Sequence, residues 1–172
     1  VYSTKPQTPT GTDLQLLRET AQLAGLAMER SRTEETLHLR TVAMEASANA
    51  VVITDSLGKV EWTNPAFTWL TGYEPSEAIG QNTRLLKSGA QDPTFYKDLW
   101  DTILAGRAWH GELINRRKDG SLYVEEQTIT PFMDETGKLA HFIAIKQDVT
   151  KRKQGEAELR KISKAVEASP NG

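Results

Sequence analysis

The forty residues from 109 to 148, WHGELINRRKDGSLYVEEQTITPFMDETGKLAHFIAIKQD, contain the pattern that decides the fold. Two turn sequences, Lys118-Asp119-Gly120 and Asp134-Glu135-Thr136-Gly137, divide the stretch into three segments rich in β-branched and aromatic residues. Short Asp/Gly-containing turns between such segments are typical of β-hairpins. The pattern therefore predicts three antiparallel strands, from Trp109 to Arg116, from Leu122 to Pro131 and from Leu139 to Asp148.

Upstream of these strands the sequence predicts a shorter hairpin and then a group of short helices. Residues 51–54 (VVIT) and 60–63 (VEWT) have strand character and flank a DSLG turn. Asn64-Pro65 and Asp92-Pro93 each place a capping side chain before a proline, which favours a helix start. Two strands, short helices and three further strands predict an α+β fold, with a five-stranded antiparallel sheet and the helices on one of its faces.

Helical segments are predicted on both sides of this region, over residues 13–46 and 150–168. The sequence AMEASANA at 43–50 recurs as AVEASPNG at 165–172. A repeat separated by one domain and one helix indicates tandem copies of the same unit. We therefore expect residues 169–172 to begin a second copy of the domain that spans 47–149.

Composition narrows the classes of function that this chain can have. The net charge is -2 and the pI is about 6.0, so the sequence does not favour nucleic acid as a partner. The absence of cysteine excludes thiolate metal sites and fits a reducing, cytoplasmic location. Because no apolar run approaches the length of a membrane span, we expect no membrane contact by this segment.

An enzymatic role is not expected for the chain itself. The sequence contains no nucleophile-and-base set, phosphate-binding glycine loop or metal-ligand spacing. Glu125 and Glu126 are adjacent on a strand and point to opposite faces, so they cannot share one site. Haem is not expected either, since His38, His110 and His141 all lie outside the helix predicted after Asp92.

Five short motifs follow one another along the chain. They are Ile53-Thr54-Asp55, Asn64-Pro65-Ala66-Phe67, Thr71-Gly72-Tyr73, Arg116-Arg117-Lys118-Asp119-Gly120 and Asp148-Val149-Thr150. In this order and spacing they resemble the PAS family, over about residues 39–153. The resemblance implies a pocket between the inner sheet face and the short helices, with terminal helices that pair and carry signals.

Residues 1–12, together with the sequence AQLAGLAMER at 21–30, resemble the final strand and helix of a GAF domain. A GAF–PAS–PAS order is similar to the sensory half of a bacterial histidine kinase. The input half of a cyclic-di-GMP enzyme has the same organisation, and both alternatives are open. In either case residues 13–46 and 150–168 are expected to act as connector helices, which also hold two chains together as a homodimer.

The resemblance extends to PAS domains that bind flavin. In photoreceptors of the light-oxygen-voltage (LOV) class a cysteine forms the light-driven adduct, and Thr83 stands at that position here, which excludes adduct chemistry. The stretch from Arg84 to Asn115 is similar to redox-sensing PAS domains that bind FAD. That similarity implies FAD or FMN as a cofactor, with Arg84 near the phosphate, Trp109 lining the pocket and Asn115 at the polar edge of the ring.

Two residues depart from the flavin-binding pattern. Glu125 and Lys146 stand where LOV-type sites carry amides. Period-two alternation points both toward the inner face, together with Trp109, Leu113, Asn115, Tyr123, Gln127, Phe142 and Ala144. A buried Glu125–Lys146 pair could satisfy itself and leave the pocket closed. The alternative to a ligand sensor is therefore a ligand-free dimerisation and relay module, with its core filled by Trp62, Trp69, Trp100 and Trp109. In both cases Asp148 and Thr150 are predicted to relay signals at the root of the outgoing helix.

Overall fold

The computed structural model describes residues 11–167, with side chains from residue 18 to 164 and at Gln15. The predicted GAF-like end at 1–12 lies outside the described residues except for its last two positions. The predicted second repeat at 169–172 lies wholly outside them. The chain divides into two units, residues 1–43 and 44–172. A helix, α1 (Gly11–Glu45), occupies the described part of the first unit and corresponds to the helix predicted over 13–46.

The second unit is built on a five-stranded antiparallel sheet, which confirms the predicted α+β fold. Its spatial order is β2-β1-β5-β4-β3, so the last strand in sequence lies at the centre, between β1 and β4. The strands are β1 (Ala50–Asp55), β2 (Val60–Thr63), β3 (Trp109–Arg116), β4 (Leu122–Met133) and β5 (Leu139–Asp148).

Short helices connect β2 to β3 and cover one face of the sheet. They are α2 (Pro65–Thr71), α3 (Pro75–Ala78), a 3-10 turn (Thr83–Leu86) and α4 (Pro93–Leu104). Asn64 and Asp92 cap α2 and α4 through their side-chain oxygens, as predicted. Asn64 is fully buried, and its amide also donates to the carbonyl groups of Met44 and Asn49. This side chain therefore joins the start of α2 to the segment that leads into β1.

The core lies between the helices and the inner face of the sheet. Inward positions on β4 and β5 alternate as predicted, and Tyr123, Glu125 and Phe142 are each at most 3% exposed. The prediction that four tryptophans fill this space is wrong, because Trp69 is 77% exposed. Its helix buries Ala66, Phe67, Leu70 and Thr71, and position 69 falls on the opposite face of that helix.

The outgoing helix α5 (Thr150–Glu167) follows β5 after the buried Val149. Its first turn is tied to the outer face of the sheet by ion pairs. Arg152 lies 2.9 Å from Glu126 on β4, and Lys153 lies 2.8 Å from Glu112 on β3. Within residues 11–167, no helix is both long and apolar enough to cross a membrane.

Candidate functional site

A cavity of about 400 Å³ lies between the inner face of β3–β5, the 3-10 turn and α4. Its volume is in the range of small-molecule sites, which run from roughly 300 to 1,000 Å³. One wall is apolar and is formed by side chains of α4 and of the three strands. That wall comprises Leu99, Trp100, Ile103, Leu113, Ile129, Phe142 and Ala144.

Three polar side chains form what we call the floor of the cavity: Asn115, Gln127 and Lys146. They come from β3, β4 and β5 and are 4%, 6% and 3% exposed. Gln127 and Lys146 are direct register partners on neighbouring strands, so they lie side by side. Burial of this much polarity is costly unless its hydrogen bonds are made, which marks the floor as a candidate binding surface.

Glu125 lies behind the floor and collects three hydrogen bonds. Its carboxylate accepts from Lys146 Nζ at 2.7 Å, Tyr123 Oη at 2.9 Å and Asn115 Nδ2 at 3.3 Å. The side chains of Lys146 and Glu125 are 4% and 0% exposed, so the ion pair is shielded from water. Burial, reinforced by the negative charge of Glu125, raises the pKa of Tyr123 far above its ordinary value, so its hydroxyl remains a donor.

The mouth of the cavity is cationic. Arg84 and Lys87 both line it and are exposed. Arg84 Nε donates to Asn82 at 3.0 Å, and Lys87 Nζ lies 4.1 Å from the centre of the Tyr96 ring. The residues from 11 to 167 that line the cavity include no aspartate or glutamate. An anion that enters the cavity would therefore meet positive charge at the mouth and no carboxylate on the walls.

The structure brings together three of the five predicted cofactor-binding residues. Arg84, Asn115 and Lys146 line the cavity, whereas Trp109 and Glu125, although buried, do not. The Trp109 ring instead packs edge-on against Phe95, with ring centres 5.6 Å apart. Its indole also lies over Gly111, where a Cβ atom would come within 2.6 Å of it. This packing turns the indole away from the cavity.

Other residues of the site were not assigned a role from sequence. Alternation on β4 placed Gln127 on the inner face, and that is the one signal that could have identified it. Lys87 and Tyr96 lie in segments without strand periodicity. The tertiary structure brings them to the mouth of the cavity.

Asp148 and Thr150 join the end of β5 to the start of α5. Asp148 Oδ1 accepts from the backbone N–H of Thr150 at 2.9 Å, and Thr150 Oγ1 accepts from the backbone N–H of Val124 at 2.9 Å. Partial burial opposes ionisation of Asp148. Hydrogen bonds from Thr150 and Arg117 nevertheless hold the pKa of that carboxyl below its ordinary value.

Arg117, in the turn after β3, connects this junction to the interior. Its guanidinium lies 2.7 Å from Asp148, stacks 4.3 Å from the centre of the Tyr123 ring, and donates to the carbonyl of Leu70 at the end of α2. From sequence, Arg117 was recognised as part of a motif but was not assigned a role. Its contacts join α2, β4 and the root of α5.

Residues 48–151 match the family model of the PAS domain, and the chain therefore belongs to the PAS domain family. It is 35% identical, over 128 residues, to the nitrogen fixation regulatory protein of Klebsiella oxytoca. It is 33% identical, over 107 residues, to a blue-light-activated histidine kinase of Brucella canis. These matches cover 74% and 62% of the chain but 26% and 22% of the two relatives, so the chain spans about a quarter of their length.

Solved structures show the same fold. An RNA-binding light-oxygen-voltage receptor superposes with a TM-score of 0.69 at 27% identity, covering 78% of this chain and 38% of that one. The LOV domain of the Erythrobacter litoralis EL346 blue-light-activated histidine kinase gives a TM-score of 0.56 at 25% identity, over 60% of this chain and 98% of that domain. The resemblance to the PAS family inferred from the motifs is thus confirmed.

Proposed function

We propose that this PAS domain is a sensory and signal-relay module of a bacterial signal-transduction protein. The cavity would hold a small ligand or redox cofactor, and its state would pass through the outgoing helix. The observation that supports this most directly is a continuous chain of polar contacts from the cavity floor to the root of α5. It runs through Lys146, Glu125, Tyr123, Arg117 and Asp148.

Each contact in this chain shares a residue with the one before it. Lys146 and Glu125 are held at 2.7 Å in a region without water screening, so a ligand that draws the ammonium toward itself must weaken that pair. The Glu125 carboxylate orients the hydroxyl of Tyr123, and the ring of Tyr123 supports the guanidinium of Arg117. Arg117 in turn holds the Asp148 carboxylate that accepts from the first residue of α5. A change at the floor can therefore alter how the helix begins.

Hydrogen exchange of the first turn of α5 tests this relay. The substitution Glu125→Gln weakens the hold on Lys146 and lowers the stability of the whole domain. We therefore expect the amides of Thr150 and Lys153, which donate to Asp148 and Val149, to gain more in exchange rate than the amides of β3 do. Glu135→Gln, an exposed glutamate in the turn between β4 and β5, is the matched control. A gain in exchange at the start of α5 no larger than the gain in β3 would refute the relay and favour the alternative, a ligand-free dimerisation module.

A flavin is the cofactor that the LOV-type neighbours suggest, and the polar groups of the cavity fit one. Arg84 would hold a phosphate at the mouth, and the amides of Asn115 and Gln127 can donate to and accept from the edge of the ring. A bound flavin would supply reversible redox chemistry. Thr83 in place of the LOV cysteine leaves no thiol for a photoadduct.

Flavin absorbance in purified protein, or uptake of added FAD or FMN by the colourless protein, tests this assignment. Failure of both would remove flavin as the ligand.

The parent protein is proposed to be a sensor histidine kinase, with an input domain of a cyclic-di-GMP enzyme as the alternative. The similarity to the Brucella kinase supports the first. The GAF-like residues 1–12 and the repeated sequence at 165–172 support a row of sensory domains.

We further propose a homodimer formed through α1, α5 and the outer sheet face, where Ile145 is 46% exposed. Light scattering over a range of concentrations tests the dimer.

A further inference from the structure

Glu125 is saturated by its partners, but the Lys146 ammonium is not. Three donors surround the Glu125 carboxylate, and they occupy both of its oxygens. The ammonium has three N–H groups, and Glu125 is the one acceptor found for it among residues 11–167. Since Lys146 lines the cavity and is 3% exposed, its remaining N–H groups have the cavity as their source of acceptors.

Gln127 strengthens this conclusion from the neighbouring strand. Its side chain is buried and lines the cavity next to Lys146, and its amide has no hydrogen-bond partner within the part of the chain that the structure describes. An amide that faces a cavity without a protein partner can bind a group placed there. Two adjacent side chains thus present unused N–H groups to the same end of the cavity.

The charge at the two ends of the cavity differs. At the floor the Lys146 ammonium is neutralised by Glu125 at 2.7 Å, so a second carboxylate placed there would be repelled by the first. At the mouth Arg84 and Lys87 are exposed cations, and no carboxylate is found among the described lining residues. A neutral acceptor therefore suits the floor, and an anionic group suits the mouth.

We infer that the cavity binds a small anionic molecule with a carbonyl-type acceptor at its inner end, an apolar body and its negative charge at the mouth. This ligand class rests on the proposed sensing role of the cavity. Lys146 and Gln127 would bind the acceptor, the apolar wall would cover the body, and Arg84 would attract the anion. Lys146 is also the first residue of the relay. A ligand that binds Lys146 would therefore change the ion pair between Lys146 and Glu125.

A matched set of naphthalene probes separates the two ends. 6-Acetyl-2-naphthoate has a carbonyl at one end and a carboxylate at the other, 6-isopropyl-2-naphthoate lacks the carbonyl, and methyl 6-acetyl-2-naphthoate lacks the charge. By calorimetry we expect the isopropyl compound to bind about tenfold more weakly, the value of one hydrogen bond to a charged group. The ester should bind about fivefold more weakly, the value of one ion pair in water.

Two variants should each reduce one preference. Glu125→Gln with Lys146→Met replaces the ion pair by a neutral pair and keeps the buried volume, so the preference for the carbonyl should fall to what Gln127 alone supplies and the preference for the acid should remain. Arg84→Gln should reduce the preference for the acid over its ester and leave the preference for the carbonyl. Lys138→Met, in the exposed turn before β5, should leave both preferences as they are.

Absence of binding by all three probes, or equal affinity for the acid and its ester, would overturn the inference. So would a carbonyl preference that is as large in the double variant as in the parent chain. The relay is tested separately, by measuring amide hydrogen exchange at the start of α5 with and without bound 6-acetyl-2-naphthoate. Selective binding without a change in exchange would refute the relay and leave the ligand class supported.

Discussion

The ion pair between Glu125 and Lys146 gives the sharpest prediction about the stability of the domain. Removing either partner leaves a charged group that is at most 4% exposed without its counter-charge. Breaking a buried pair in this way costs about 3–5 kcal/mol. That is a large share of the roughly 5–15 kcal/mol that stabilises a typical domain, so Glu125→Gln and Lys146→Met should each lower the free energy of unfolding severely.

The double variant should recover most of this loss. With both charges removed, a buried pair exchanged for neutral groups of similar volume is often neutral in stability. We therefore expect Glu125→Gln/Lys146→Met to lie within about 1–2 kcal/mol of the parent chain. The corresponding coupling energy is several kcal/mol, well above the range seen for independent sites.

Urea unfolding followed by tryptophan fluorescence measures these differences, because all four tryptophans lie between residues 62 and 109, inside the PAS domain. Glu135→Gln and Lys138→Met, exposed residues of one turn, provide the charge-matched control cycle and should each change stability by less than about 0.5 kcal/mol. Additive losses in the Glu125–Lys146 cycle, or single variants as stable as the control pair, would refute the reasoning.

Three further predictions concern the junction, the outer face and the core. The pKa of Asp148 is held below its ordinary value of 3.8, so its stabilising effect should be complete above that value and be lost as pH falls through the lower native pKa. Unfolding of the parent and Asp148→Asn should therefore differ near neutral pH and converge in acid, and a constant difference would contradict this. Ile145→Lys should shift the proposed dimer toward monomer in light scattering, whereas Leu57→Lys, at a position that is 70% exposed, should not. Gly111→Ala should destabilise the domain by about 1–3 kcal/mol in thermal unfolding, because its Cβ would lie 2.6 Å from an indole ring, while Gly155→Ala meets no atom within 4 Å and should not destabilise it.

Much of the fold was predictable because its signals are local. Turn sequences, proline after a capping residue and period-two alternation each depend on a few neighbouring residues. Alternation placed Asn115, Glu125 and Lys146 on the inner face, and all three are buried. The proximity of Glu125 to Lys146 was also foreseen, since inward residues on adjacent strands meet wherever the strands pair.

The set of side chains that line the cavity was less predictable. Trp109 and Glu125 point inward as expected, yet Trp109 lies against Phe95 and Gly111, and Glu125 is enclosed by its own partners. Alternation assigns a side chain to a face, but not to the part of that face that a helix leaves open. The exposure of Trp69 has a similar cause, since the orientation of a two-turn helix depends on what packs beneath it.

The sequence alone determined the family, the order of strands and helices, and the absence of a thiol at the LOV cysteine position, since these follow from residue identity and local periodicity. Only the tertiary structure decided that Arg117 joins Tyr123 to Asp148, and that Lys146 and Gln127 turn unused donors toward a cavity. Those contacts join residues that lie far apart in sequence. Their geometry depends on how the helices close over the sheet, and no local pattern encodes that packing.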